Sequence, residues 1–378
     1  MVSTSPDNRL IAFVSNSAWS VYNFRVDVIR HLIAKGFRVV VIAPDDENSA
    51  LLQAEGCIYL NIDFNNRQEN PLQDVTLYTQ LKTAYKKCKP DFIFHYVIKP
   101  NIYGSLAAAR LRIPSVSVIT GLGYPFAKKN WLYYVVKALY KTALRKVTEV
   151  WFLNNEDARS FTRHHIIPIE KVKVLPGEGV NPGHFIPAFE TELTKNGRFV
   201  FLMSCRLLKS KGIGVYADAA RILKKKNVDA RFELLGFFEK HHPDSVSLED
   251  IQKWEAEGLM HFNGFAKDVR SYLKNADCFV FPSFYNEGVP RGLMEAASME
   301  LPIITSYTRG CKEVVLNNST GYLCNPNDPF DLADKMERMM NLSPEERNRM
   351  GKNGRALVMK KFNITKVIEE YERTLRKR

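Results

Sequence analysis

Short, unbroken apolar runs alternate along the chain with longer amphipathic stretches. Leu-Ile-Ala-Phe-Val at 10–14 is the first run and Val-Val-Val-Ile-Ala at 39–43 the second. Uninterrupted runs of this length suit parallel strands covered on both faces. The pattern predicts further strands over 57–62, 92–97, 115–119, 150–153 and 172–175. Helices are predicted between them over 21–35, 72–88, 101–111, 130–146 and 155–163. Gly36 fits the position after a helix C-cap. After a Gly-rich turn at 176–181 and a polar stretch at 186–197, the rhythm starts again. It gives strands over 199–204, 230–235, 278–281 and 321–323, and helices over 213–226, from about 290, 329–341 and 344–361. Two such series in 378 residues predict an α/β chain of two doubly wound, Rossmann-like domains, with a boundary at 182/183 and a separate last segment, 362–378.

Composition narrows the class. A chain that is 45% hydrophobic can bury two cores. The six cysteines (57, 88, 205, 278, 311 and 324) show no CxxC or CxxH spacing. They read as reduced thiols rather than a disulfide or zinc framework. Residues 1–9 are polar and lead directly into a strand, and no run of about 18 apolar residues occurs. The expectation is a cytoplasmic protein with neither leader nor membrane span.

The net charge of +13 calls for an anionic partner. Lys128, Lys129, Lys137, Lys141, Arg145 and Lys146 share one acid-free stretch with Trp131, Tyr133, Tyr134 and Tyr140. A basic, aromatic helix of this kind reads as a surface for an anionic membrane, where each Lys or Arg adds on the order of 1 kcal/mol. Its apolar residues are too many for one narrow stripe, so part of it belongs to a core. No helix-turn-helix, zinc-finger, RRM or KH pattern is present, which sets nucleic acid aside. His241-His242 lacks further ligands at metal spacing, so no metal site is expected.

The most informative stretch runs from 278 to 297. The apolar strand Cys-Phe-Val-Phe enters a polar turn, Pro-Ser-Phe-Tyr-Asn-Glu-Gly-Val, and Pro290 opens a helix. Pro suits the first helical turn, and Gly288 permits close approach of a ligand. The free N–H groups at such a helix start favour phosphate. Glu287 and Glu295 frame that seat, about 12 Å apart at roughly 1.5 Å per residue.

Ser283 to Gly288, with Leu293-Met294-Glu295-Ala296, resembles the signature of retaining, GT-B-fold glycosyltransferases of family 4 (group 1). In wording it is nearest to bacterial enzymes that extend lipid-diphosphate-linked sugars. Cys205-Arg206-Leu207 followed by Lys211-Gly212 resembles the same family's diphosphate-gripping phrase. The resemblance implies a metal-independent, cofactor-free GT-B enzyme whose N-terminal domain binds the acceptor and whose C-terminal domain binds the nucleotide sugar across a cleft. The segment 362–378 resembles the helix that crosses back to the first domain.

The resemblance also assigns residues. Glu287 would hold sugar hydroxyls with Asn286, Gly288, Val289 and Pro290 around it, and Glu295 the ribose. Arg206 and Lys211 would hold the diphosphate. Charge grows on a departing nucleoside diphosphate, so fixed cations there favour the transition state. Backbone at Phe265 and Ala266 would read the base. His95, at a strand end, would contact the donor sugar, with Lys99 an anion ligand and Thr120 and Gly121 bordering the phosphates. Ser17, Tyr22, Asn23 and Arg25 are acceptor candidates, in a turn that lacks the family's glycines. Glu178 stands where the family has Asn. The implied reaction moves a hexose or N-acetylhexosamine from a UDP-sugar to a lipid-linked saccharide at the inner face of the plasma membrane, the leaving diphosphate helping to take the acceptor proton. A UDP-sugar 2-epimerase of the same fold, and a non-catalytic sugar-nucleotide-binding partner protein, remain alternatives at this point.

Overall fold

The structure is a computed structural model that describes residues 7–62, 71–122, 126, 131–187, 197–239, 242–285 and 288–377. The chain divides into two compact units, 1–178 with 364–378, and 179–363. The first division falls four residues before 182/183, because Val180 N–H donates to Phe362 O (2.9 Å), which ties 179–182 to the second unit.

Unit 1 contains β1 (Leu10–Val14), α1 (Ala18–Ala34), β2 (Arg38–Ala43), α2 (Ser49–Ala54), β3 (Ile58–Asn61), α3 (Pro71–Cys88), β4 (Phe92–Tyr96), α4 (Ser105–Leu111), β5 (Ser115–Ile119), α5 (Trp131–Ala143), β6 (Glu149–Phe152), α6 (Asn155–Arg163) and β7 (Val172–Val174). Its seven strands are all parallel, in the order β3-β2-β1-β4-β5-β6-β7. Every residue of β1, β4 and β5 is buried, as expected of central strands covered on both faces, including the polar His95, Ser115 and Ser117. Ser17 caps α1 by accepting from Ser20 N–H, and Asn154 caps α6 by accepting from Asp157 N–H.

Unit 2 contains β8 (Phe199–Arg206), α7 (Ile213–Lys225), β9 (Ala230–Phe237), α8 (Leu248–Ala256), β10 (His261–Phe262), α9 (Arg270–Asn275), β11 (Cys278–Phe281), α10 (Arg291–Ser298), β12 (Ile303–Ser306), β13 (Gly321–Cys324), α11 (Pro329–Asn341) and α12 (Pro344–Leu357). Its six strands run in the order β10-β9-β8-β11-β12-β13. Both sheets are therefore doubly wound, with reversal points between β1 and β4 and between β8 and β11. The predicted rhythm holds, with two short strands (β10 and β12) and three short helices (α2, α8 and α9) added. The helix expected over 344–361 is α-helical to Leu357 and ends in a π-turn, Val358–Phe362.

The last helix, α13 (Ile364–Arg376), belongs to unit 1. Its Val367, Tyr371 and Leu375 are buried in that core. The Tyr371 ring lies 4.6 Å from Phe94 and 4.8 Å from Trp151 between centroids. Among the described residues, no helix is long and apolar enough to cross a membrane.

Candidate active site

In open parallel sheets the connections leave a reversal point in opposite directions and open a crevice at the strands' carboxyl ends. In unit 2 that crevice lies beyond β8 and β11. β8 extends two residues past the predicted end, pairing Cys205 with Gly236 and Arg206 with Phe237. Arg206 is thus the terminal residue of the strand beside the crevice. Its guanidinium donates to Glu239 (2.9 Å).

The turn after β8 is packed onto the turn after β11. Phe284 N–H donates to Ser210 O (2.9 Å), as does the Ser283 hydroxyl (3.3 Å). Ser210 also donates to the Asp244 carboxylate from its N–H (3.1 Å) and its hydroxyl. Gly212 sits at φ 85°, and a Cβ there would stand 2.2 Å from Pro282 O. Only glycine fits both the backbone and the space. This contact fixes Lys211, which is 6% exposed, with Nζ 5.0 Å from the Tyr285 ring centroid and 5.7 Å from that of Phe281. The two ring faces hold the ammonium in place by cation–π attraction.

Buried Gly288 and Val289 lead to Pro290, which caps α10 in an extended conformation. Gly292, in the first turn of α10, passes over β8 and β11, its Cβ direction facing Phe279 and Ser204 O. Glu295, one turn on, accepts from Arg291 (2.8 Å). Phe265 and Ala266 follow β10 at the same edge of the sheet. Phe265 is half-exposed and meets Phe237, the last residue of β9, edge-on at 5.7 Å. Arg206, Lys211, Gly288, Val289, Pro290, Phe265 and Ala266 therefore stand at the carboxyl edge of one sheet, with Glu295 further along α10. Asn286 and Glu287 lie outside the described residues, as do Lys128, Lys129 and His241.

Unit 1 departs from expectation at two residues. His95 has no exposed surface. Tyr85 Oη is 3.0 Å from its Nε2 and Ser105 Oγ 3.3 Å from its Nδ1, and Gly104 packs so close that a Cβ would stand 2.5 Å from the ring. Burial lowers its pKa to about 3, so the ring is neutral. His95 is a core residue here and offers nothing to a sugar. Lys99 is engaged with Asp74 (3.1 Å) rather than presented to an anion.

Thr120 and Gly121 do follow β5 at the carboxyl edge. Thr120 borders a cavity of about 80 Å³ beyond β1 and β4, shared with Ser20, Phe24, Arg25, Tyr96 and Glu178. Arg25 and Glu178 form a buried ion pair there, and the guanidinium lies 4.4 Å over the Tyr96 ring. The pairing was not foreseen, yet α1 carries a signal. Arg25 occupies the apolar stripe Val21, Val28, Ile29 and Leu32, where a charge needs a partner. Among the described residues, no group of three or more His, Cys, Asp or Glu could hold a metal ion.

Comparison with known proteins agrees with this geometry. The family described as "Glycosyl transferases group 1" matches residues 186–357, and "Glycosyl transferase 4-like" matches residues 10–154. The chain is similar to N,N'-diacetylbacillosaminyl-diphospho-undecaprenol alpha-1,3-N-acetylgalactosaminyltransferase of Campylobacter jejuni, at 29% identity over 87% of this chain and 89% of the relative. It is also similar to UDP-Gal:alpha-D-GlcNAc-diphosphoundecaprenol alpha-1,3-galactosyltransferase of Escherichia coli, at 28% identity over 79% of this chain and 78% of the relative. The crystal structure of Anabaena HepE in complex with UDP and glucose has the same fold. Its TM-score is 0.81 at 19% identity, over 98% of this chain and 100% of that one. Residues 186–357 thus carry a group 1 glycosyl transferase domain and residues 10–154 a glycosyl transferase 4-like domain, each on a doubly wound sheet, and the chain is a glycosyltransferase of GT-B fold.

Proposed function

We propose that this glycosyltransferase moves a hexose or N-acetylhexosamine from a UDP-sugar to a lipid-diphosphate-linked saccharide, with retention of anomeric configuration and without a metal. The observation that carries the reading is the convergence of Arg206, Lys211 and the Gly288–Pro290 entry to α10 at the β8/β11 reversal point. In this reading Lys211 and Arg206 neutralise the departing diphosphate, Glu287 holds sugar hydroxyls, Glu295 the ribose, and the backbone of 265–266 the base. The leaving diphosphate helps to take the acceptor proton. Both relatives named above carry a diphospho-undecaprenol sugar in their names, and one carries a UDP-sugar, which supports the acceptor class and the nucleotide.

The acceptor would be met at the inner face of the plasma membrane. Trp131, Tyr134 and Val135 on α5 are 67%, 61% and 44% exposed. Lys141 follows Tyr134 by seven residues, two turns along the same exposed face. Exposed aromatics beside cations favour a peripheral contact with anionic lipid.

The test is thermal unfolding with UDP, GDP and ADP and their sugars, followed by transfer assays on Lys211→Ala and Glu287→Ala. A ligand that binds only the folded state raises the midpoint. UDP and one UDP-sugar should give the largest shifts. Lys211→Ala should lose the shift, and Glu287→Ala should keep it while losing transfer by at least a hundredfold. A larger shift with GDP or ADP would remove the uridine assignment. Unimpaired transfer by Glu287→Ala would remove its role.

A further inference from the structure

We propose that Asp244 is a positioning residue for the donor: it fixes the Ser210 peptide that joins the two turns of the diphosphate grip, and through that peptide it sets the place of the Lys211 ammonium. This rests on the reading of Lys211 as a holder of the diphosphate and adds the residue that keeps it there.

The joint is a single residue. Ser210 O accepts from Phe284 N–H (2.9 Å) and from the Ser283 hydroxyl (3.3 Å), so the turn after β11 is tied to it. The opposite side of Ser210 faces Asp244. One carboxylate oxygen, Oδ2, accepts from both the Ser210 N–H (3.1 Å) and the Ser210 hydroxyl. Ser210 is 9% exposed, so little water is at hand to replace that oxygen. Beyond Lys211, Gly212 abuts Pro282 O. Lys211 is thus held between one residue pinned by Asp244 and another pinned by the turn after β11.

Asp244 is itself anchored. Lys209 N–H donates to Asp244 O (2.7 Å) and Val246 N–H to Leu207 O (3.0 Å), which lays 244–246 alongside the turn after β8. Ser245 N–H donates to His242 O (3.0 Å) and Asp244 N–H to His242 Nδ1 (3.1 Å), a tight turn that presents the carboxylate to Ser210. Asp244 belongs to neither gripping turn, so it can be changed without touching a residue assigned to the donor.

Charge alone gives the opposite expectation. A carboxylate near Lys209 and Lys211 lowers the positive potential that draws a diphosphate, so as a charge Asp244 weakens the grip. As an acceptor it satisfies two hidden donors. Without it the peptide turns toward other partners and carries Lys211 with it. An amide oxygen in place of Oδ2 accepts both bonds without the charge, which separates the two effects.

The test is a ligand-observed NMR titration of the full chain with UDP and with uridine, which lacks the diphosphate. Asp244→Ala should weaken UDP binding by roughly tenfold or more and leave uridine within about twofold. Asp244→Asn should keep UDP affinity within about threefold of the wild type. If Asp244→Ala does not fold by circular dichroism, Ser210→Ala, which removes the hydroxyl bond alone, carries the test with a loss of about threefold or more confined to UDP. Equal losses for UDP and uridine would make Asp244 a general support of the fold, and unchanged UDP affinity would give it no part in the grip. Either result overturns the proposal. A loss in Asp244→Asn as deep as in Asp244→Ala assigns the effect to charge and overturns it too. The donor reading fails separately: a wild type that binds UDP no more tightly than uridine has no diphosphate grip, whatever the variants do. Should GDP or ADP give the larger thermal shift, the same pair of probes is taken with that base.

Discussion

Arg25 and Glu178 are joined in an ion pair whose side chains are 5% and 11% exposed, one on the first helix and the other on the last residue before the chain enters its second unit. Removing one partner of a buried pair strands the other's charge and costs about 3–5 kcal/mol, whereas removing both is far less costly. Arg25→Met and Glu178→Gln should each lower the urea midpoint strongly, and the double variant should recover part of the loss. A double variant as unstable as the sum of the singles would show that the two side chains do not act as a pair.

His95 makes stability depend on acid. Burial holds its folded-state pKa near 3, below the ordinary 6.5. The unfolded chain takes up a proton below about pH 6.5 and the folded chain does not, so stability is complete above that pH and declines as pH falls toward 3. Between pH 6.5 and 4.5 the loss attributable to this ring is about 2–3 kcal/mol. His95→Gln should be less stable at pH 7 but should lose correspondingly less on going to pH 4.5. Identical losses in urea titrations at the two pH values would show that the ring is protonated in the folded protein.

Gly212→Ala should be costly for two reasons, the positive φ and the approach of Pro282 O. Strain of this kind costs about 1–3 kcal/mol, and the turn that carries Lys211 must shift. The expected result is a lowered Tm together with at least tenfold weaker UDP binding. Gly197→Ala provides the contrast, since it shares a positive φ but meets nothing within 4 Å. It should lower Tm slightly and leave UDP binding unchanged.

The exposed face of α5, with Arg145 in the turn that follows it, predicts vesicle binding. Lys141→Glu and Arg145→Glu should each weaken binding to phosphatidylserine vesicles by roughly fivefold or more, since each basic charge contributes about 1 kcal/mol. Trp131→Ser with Tyr134→Ser should weaken binding to neutral vesicles as well. Raising salt should erode the charge contribution and spare the aromatic one. Vesicle sedimentation that is the same for all variants would assign these side chains no role at a membrane.

The alternation of strands and helices was legible because it is written in local runs. Residues 10–14 and 39–43 are apolar throughout, and Pro290 marks its own helix. The Lys211-Gly212 turn was legible as a motif, and the structure supplies its cause in the Pro282 contact. The helices α2, α8 and α9 escaped notice because six to nine residues give little periodicity. No motif marks the charged stretch from Glu239, yet Glu239 holds Arg206 and Asp244 holds Ser210. His95 was misjudged because a strand end in sequence does not reveal that Tyr85, Gly104 and Ser105 close over it. Such coverings come from residues distant in the chain, and no local pattern announces them.

The placement of Tyr371 has a consequence for the order in which the protein is made. Its ring completes a core built from Phe94 and Trp151, but the ribosome delivers it only after residues 179–363 have emerged. At roughly 5–20 residues per second, that interval is about 10–40 s. During it the second unit can close upon itself, being continuous, while the first waits with an apolar groove open along its oldest strands. The half of the molecule synthesised first is therefore the half finished last, and a nascent chain interrupted before Ile364 would leave that groove to chaperones and proteases.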